Sequence, residues 1–168
     1  FVFAGVAKPA SPASAARVLA PVRVAAFGPG GPADGDNPQL ARLAADASPA
    51  TAWTTGGYGS PRFADAQPGT GLLVDMGQVV TVTGAEVTLG PVPGAAFQMR
   101  TGDTPSLADL SAVAVATNAS GALAVRLAAP VHARYVLIWF TALPPAGSGV
   151  FQARVYNVTI EGSRRAGS

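Results

Sequence analysis

LAADASPATAW, residues 43–53, leads through a loop broken by Gly and Pro into the apolar run GLLVDMG, residues 71–77. Asp46 and Ser48 carry short oxygen-bearing side chains that hydrogen-bond nearby backbone, Pro49 presets one turn, and Trp53 closes the turn with a large apolar anchor. The segment reads as a corner, neither helix nor strand. Leu72, Leu73 and Val74 form a short apolar run closed by Asp75 and Gly77, the pattern of a buried strand leaving the core at a turn. A corner pinned by one tryptophan and followed by a buried strand points to an all-β sandwich.

Outward from this stretch the chain falls into short β-type runs separated by Gly, Pro, Asp and Asn, without sustained helical periodicity or an internal repeat. About eight strands are expected. The first covers residues 18–27, interrupted at Pro21; the second 71–76; the third 80–89, where Gly84 marks a bulge. Phe97 and Met99 alternate with Gln98 and Arg100 in the fourth, which gives one buried and one wet face. Residues 112–116 and 123–127 form the fifth and sixth, with Asn118, Ser120 and Gly121 turning the chain between them. RYVLIWFTAL, from Arg134, is the most apolar run and should be the central strand, and residues 155–160 close the sheet. Two short helical turns are expected, one started by Asn37 as N-cap with Pro38 at the first helical position, the other capped by Thr104.

Composition narrows the function classes. A chain of 168 residues can bury about 70% of its unfolded surface as one domain. It has no cysteine, which removes disulfides, zinc fingers and thiol nucleophiles together. The formal charge is +2, with basic residues spread from Lys8 to Arg165, which argues against a nucleic-acid footprint. The one histidine, His132, has no carboxylate beside it in a pattern for acid/base or nucleophilic work, so no enzyme is expected. DGDN, with Asp34, Asp36 and Asn37, lacks the downstream Glu of a calcium loop and reads as a polar turn. The start, FVFAGVAK, is too short an apolar stretch to span a bilayer, which takes about 20 residues. Residues 1–16 read as an extended N-terminal arm or linker, 17–162 as the sandwich, and 163–168 as a frayed tail.

Four motifs in order carry a family resemblance: A-x-D-x-x-x-x-T-x-W (Ala44, Asp46, Thr51, Trp53), L-x-V-D-x-G (Leu72, Val74, Asp75, Gly77), A-R-Y-V (133–136) and N-V-T-I-E-G (157–162). Together they resemble the discoidin, or coagulation factor 5/8 C-terminal type, domain. The resemblance implies a galactose-binding-like fold, a jelly-roll β-sandwich of about eight antiparallel strands. More narrowly, FGPGGPADGDN, GTGLLVDMG and YVLIWFTALP are similar to the extracytoplasmic C-terminal domain of actinobacterial MviN-type, lipid II flippase-like proteins. That similarity implies a non-catalytic extracytoplasmic module of a membrane-anchored protein. Its implied partner is a cell-envelope glycan, peptidoglycan or its lipid-linked precursor; the alternative is a protein-docking or scaffold domain with no sugar site.

The discoidin family often holds a structural calcium at the A-x-D corner, where Asp46 matches the first ligand and Thr51 a second. Ala47, Ser48 and Asn157 depart from the family pattern at other positions, so no metal and no cofactor is expected and Asp46 is expected to cap a turn. The candidate recognition surface is the loop TTGGYGSPRFADAQPGT, residues 54–70. Its glycines allow close approach to a ligand, and Pro61 and Pro68 limit the entropy lost on ordering. Tyr58 offers an aromatic face with a polar tip, Arg62 a planar five-donor fork, Gln67 an amide that donates and accepts, and Phe63 an apolar ring; in the alternative, Tyr58 and Phe63 fold back as lids over the barrel end and Arg62 is merely solvated.

Overall fold

The computed structural model describes residues 17–46, 48, 50–63 and 67–164. The expected arm at 1–16 and residues 165–168 of the expected tail lie outside them. Among the described residues ten strands follow in chain order: β1 Arg17–Leu19, β2 Arg23–Phe27, β3 Trp53–Thr54, β4 Thr70–Leu89, β5 Ala95–Gly102, β6 Ser111–Ala119, β7 Ala122–Ala142, β8 Pro145–Gly147, β9 Val150–Phe151 and β10 Arg154–Ser163. Every pairing is antiparallel. The fold is the expected jelly-roll sandwich.

Two long bent strands make the sandwich out of a single hydrogen-bonded path, β1-β10-β4-β7-β5-β6, with β2 added beside β4 and β3 beside β10. The sequence suggests separate strands at 71–76 and 80–89, and again at 123–127 and 134 onward; each pair is one strand instead. The breaks are bulges. Asp75 pairs with Tyr135 and Val80 with Ala133, so residues 76–79 of β4 face Arg134 alone; Val82 pairs with Val131 and Gly84 with Arg126, so residues 127–130 of β7 face Thr83 alone. Extra residues on alternate strands bend the β4–β7 pair from one layer into the other. A Cβ on Gly84 would sit 2.5 Å from the Val125 carbonyl, which is why glycine stands at the expected bulge. At the first bulge Arg134 donates to both oxygens of Asp75 at 2.9 and 3.1 Å and holds that carboxyl below the usual carboxylate range.

One layer thus contains β2, the first part of β4, the last part of β7, β5 and β6; the other contains β1, β3, β10 and the remaining parts of β4 and β7. Between them lie Trp53, Leu72, Val74, Met76, Phe97, Met99, Val136, Ile138, Phe140, Val155 and Ile160. Burial of this apolar surface, at roughly 25 cal/mol per Å², is the main stabilising contribution. RYVLIWF lacks alternation because both faces of that part of β7 are covered. Its outer residues Tyr135, Leu137 and Trp139 join Phe27, Leu73 and Leu110 in a second cluster. Phe27 and Trp139 meet edge to face at 6.1 Å. Arg100 reaches out from β5, donating from Nε to the Leu110 carbonyl at 2.7 Å and from Nη1 to Gln98 Oε1 at 2.6 Å, and so fastens the 107–110 turn over this cluster.

Both expected helical turns are 3-10 in geometry, Pro38–Ala44 and Leu107–Asp109, and neither has the expected cap. Asn37 lies in the left-handed region at φ 46 and turns its amide away, donating to the Thr54 carbonyl at 2.8 Å. Thr104 stands outside its turn, which Ser106 precedes, and its hydroxyl donates to Asp109 Oδ2 at 3.3 Å.

Candidate functional site

Backbone hydrogen bonds gather four loops at one end of the sandwich. Tyr58 N donates to the Phe151 carbonyl at 2.9 Å and Phe151 N returns a bond to Tyr58 at 2.7 Å; Leu143 N donates to Pro61, Gly121 N to Gly90 and Gln152 N to Pro144, at 2.9 to 3.0 Å. This is the end of β10 that begins at Arg154, paired with Thr54; at its other end Gly162 pairs with Arg17. Loop side chains on such a rigid scaffold are free of the demands of core packing and available for recognition.

The expected site residues occupy this end, in three different states. Tyr58 is partly buried; its hydroxyl donates to Asp36 Oδ2 at 2.8 Å and accepts from Gln67 Nε2 at 2.7 Å. Asp36 Oδ2 also accepts from the Gly56 amide at 2.9 Å, and the Asp36 carbonyl accepts from Trp53 Nε1 at 2.8 Å. Burial first, and the bond to Asp36 second, push the Tyr58 phenol above its ordinary range. Phe63 is 1% exposed: its backbone sits at φ 64, and its ring folds back against Tyr58, edge to face at 5.1 Å. It takes the lid position rather than the ligand-facing one. Arg62 is exposed at the loop surface.

Across the β8–β9 hairpin lies a cleft of about 310 Å³ that the sequence reading did not anticipate. Its walls are Leu89 to Val92 and Ala95 on one side, Pro144 to Gly147 on the other, with Gln152 between β9 and β10 and Arg154 and Tyr156 at the start of β10. Ser148 at φ 55 and Gly149 at φ 76 form the two-residue tip of the hairpin, both in the left-handed conformation that a type I′ turn demands. ALPPAGSGVFQ reads as loop by composition, and a lone Arg at a strand start carries no motif, so the cleft left no readable signal.

At the Asp46 corner the two candidate metal ligands meet each other. Thr51 Oγ1 donates to Asp46 Oδ2 at 2.6 Å and Ser48 N to Asp46 Oδ1 at 3.0 Å, which hold the carboxyl below the usual range. Asp46 therefore closes the turn with both of its oxygens engaged. Trp53 is fully buried as the anchor of that corner.

No protein-family model matches the chain. Solved structures of carbohydrate-binding modules share the fold. The CBM32 module of AlyQ, solved in complex with 4,5-unsaturated mannuronic acid, is 18% identical with a TM-score of 0.61 over 86% of this chain and 97% of that one. Chitosan-binding module 1 of a chitosanase/glucanase from Paenibacillus sp. IK-5 is 17% identical, with a TM-score of 0.60 over 86% and 96%. The module CpGH89CBM32-6 of Clostridium perfringens is 10% identical, with a TM-score of 0.60 over 84% and 95%.

Proposed function

We propose that this domain is a non-catalytic glycan-binding module whose site lies at the loop end of the sandwich. The observation that carries the reading is the gathering of four loops around an open cleft, on a fold shared with modules solved with or named for sugars. Cleft walls of proline and valine suit the apolar faces of sugar rings, and Gln152, Arg154 and Tyr156, with Arg62 on the adjoining loop, offer the polar groups that fix orientation, while Tyr58 holds that loop in shape through Asp36 and Gln67. The resemblance to MviN-type C-terminal domains supports a narrower setting: an extracytoplasmic domain of a membrane-anchored protein, with peptidoglycan or its lipid-linked precursor as the glycan. The corner at Asp46 is read as metal-free, because its single carboxylate already serves Thr51 and Ser48.

Calorimetry of the whole chain against muropeptides, pyrophosphate-bearing saccharide fragments, chitosan and alginate oligosaccharides tests the reading. Saturable binding that Tyr58→Ala or Arg62→Ala weakens is expected. Binding untouched by both moves the site off that loop, and a folded chain that binds none of the panel overturns the glycan reading. The docking alternative has its own support in a hollow of about 650 Å³ beside β1, lined by Val18, Leu19, Pro21, Ala45 and Val158. Val18 is 64% exposed there.

A further inference from the structure

We infer that the cleft beside the β8–β9 hairpin selects acidic saccharides, with Arg154 receiving a carboxylate or phosphate carried on the sugar; this rests on the glycan-binding reading above. Arg154 is the one charged side chain among the described residues that line it, and neither aspartate nor glutamate stands in its wall. Three other arginines of the sandwich are committed: Arg100 to two carbonyls and Gln98, Arg134 to Asp75, Arg126 to Glu161 at 3.9 Å. Arg154 is exposed, and no described residue accepts a hydrogen bond from its guanidinium.

A guanidinium is always charged, has five donors in a fixed fork and accepts nothing, so its natural complement is a planar or tetrahedral anion. Hydrogen bonds from such a fork to an ionised oxygen are roughly twice as strong as those to a neutral hydroxyl. An acid-free wall leaves that preference unopposed. Arg154 and Tyr156 both line the cleft, on either side of buried Val155, where the register of β10 against β4 shifts between Val155 and Asn157. Pro91, Pro144 and Pro145 supply stiff apolar walls that lose little entropy when the ring enters.

The test pairs each acidic probe with its neutral twin on the whole chain, by calorimetry at low and physiological salt. The pairs are oligogalacturonate and its methyl ester, N-acetylmuramic acid and N-acetylglucosamine, and glucose 6-phosphate and glucose; inorganic phosphate separates a bare anion from an acidic sugar. The expected result is at least about a tenfold preference for one acidic member, weakened by salt and abolished in Arg154→Gln. Arg154→Lys should keep part of the preference, since it retains charge without the fork, and Arg23→Gln, which removes equal charge from β2, should keep all of it. Equal binding of acidic and neutral twins overturns the inference while leaving the glycan reading standing. Inorganic phosphate binding as tightly as the sugars overturns it as well, and failure of every saccharide removes both.

Discussion

On one flank of the loop end, Asp36, Tyr58, Gln67 and the Gly56 amide satisfy one another; on the other, across the β8–β9 hairpin, Arg154 lines an open cleft with no described partner. The first flank has the residue types that suggest a binding loop, an aromatic, an amide and glycines. The second has proline, alanine and one arginine. Hydrogen-bond accounting reverses the impression, because a polar group already paired within the fold must lose that bond before it can serve a ligand, while an unpaired one loses only water. Tyr58 and Gln67 therefore shape the loop, and Arg154 is the group held ready.

The largest test of that contrast is Trp53→Ala. Trp53 is fully buried, packs against Phe140 at 6.4 Å between ring centroids, and donates to the Asp36 carbonyl, so it anchors the locked flank to the core. Losing the ring should lower unfolding free energy by about 3 to 5 kcal/mol in denaturant melts. A variant with unchanged stability would show that the flank is not anchored through this residue.

A smaller and sharper effect comes from comparing Asp36→Ala with Arg154→Gln. The first leaves the Tyr58 hydroxyl and the Gly56 amide without their acceptor in a partly buried place and should cost about 1 to 3 kcal/mol. The second removes an exposed side chain that has no partner among the described residues and should stay within about 0.5 kcal/mol of the parent. Equal losses in thermal or chemical melts would erase the distinction between the two flanks.

How far the sequence anticipates this arrangement depends on whether a signal is local. The Trp53 corner, the 71–76 strand, the Gly84 bulge and the alternation through Phe97 to Arg100 are legible because each is written in adjacent residues. The fusion of runs into β4 and β7 is not, since Gly77 and Pro130 look like turn punctuation and only pairing partners reveal them as bulge residues. Asn37 carries the N-cap signature but gives its amide to Thr54, seventeen residues on, a contact that tertiary structure alone creates. For the candidate site, the loop holding Tyr58, Arg62 and Gln67 lies at the loop end of the sandwich, yet the inward turn of Phe63 follows from a left-handed backbone that a phenylalanine rarely adopts. Arg154 is silent in sequence because its meaning lies in what surrounds it, and those neighbours come from three separate loops.

The smallest expected effect is a pH dependence confined to alkaline solution, and it asks whether the Tyr58 phenol is truly locked. The folded chain holds that phenol's proton more tightly than the unfolded chain, whose value is near 10.0, through burial and the bond to Asp36. Below pH 10.0 both states keep the proton and the contribution to stability is whole; as pH rises beyond it the unfolded chain releases the proton first, so stability falls until the folded phenol also ionises. Tyr58→Phe has no proton to release. At neutral pH it should be less stable than the parent by about 1 kcal/mol, the net worth of a lost hydrogen bond, and that gap should narrow as pH climbs past 10.0. Ultraviolet absorbance gives an independent reading, since one of the three tyrosines should ionise only above the ordinary phenol range or on unfolding. Parallel stability curves for parent and variant, with all three phenols titrating together, would mean that Tyr58 is as available to a ligand as the open flank.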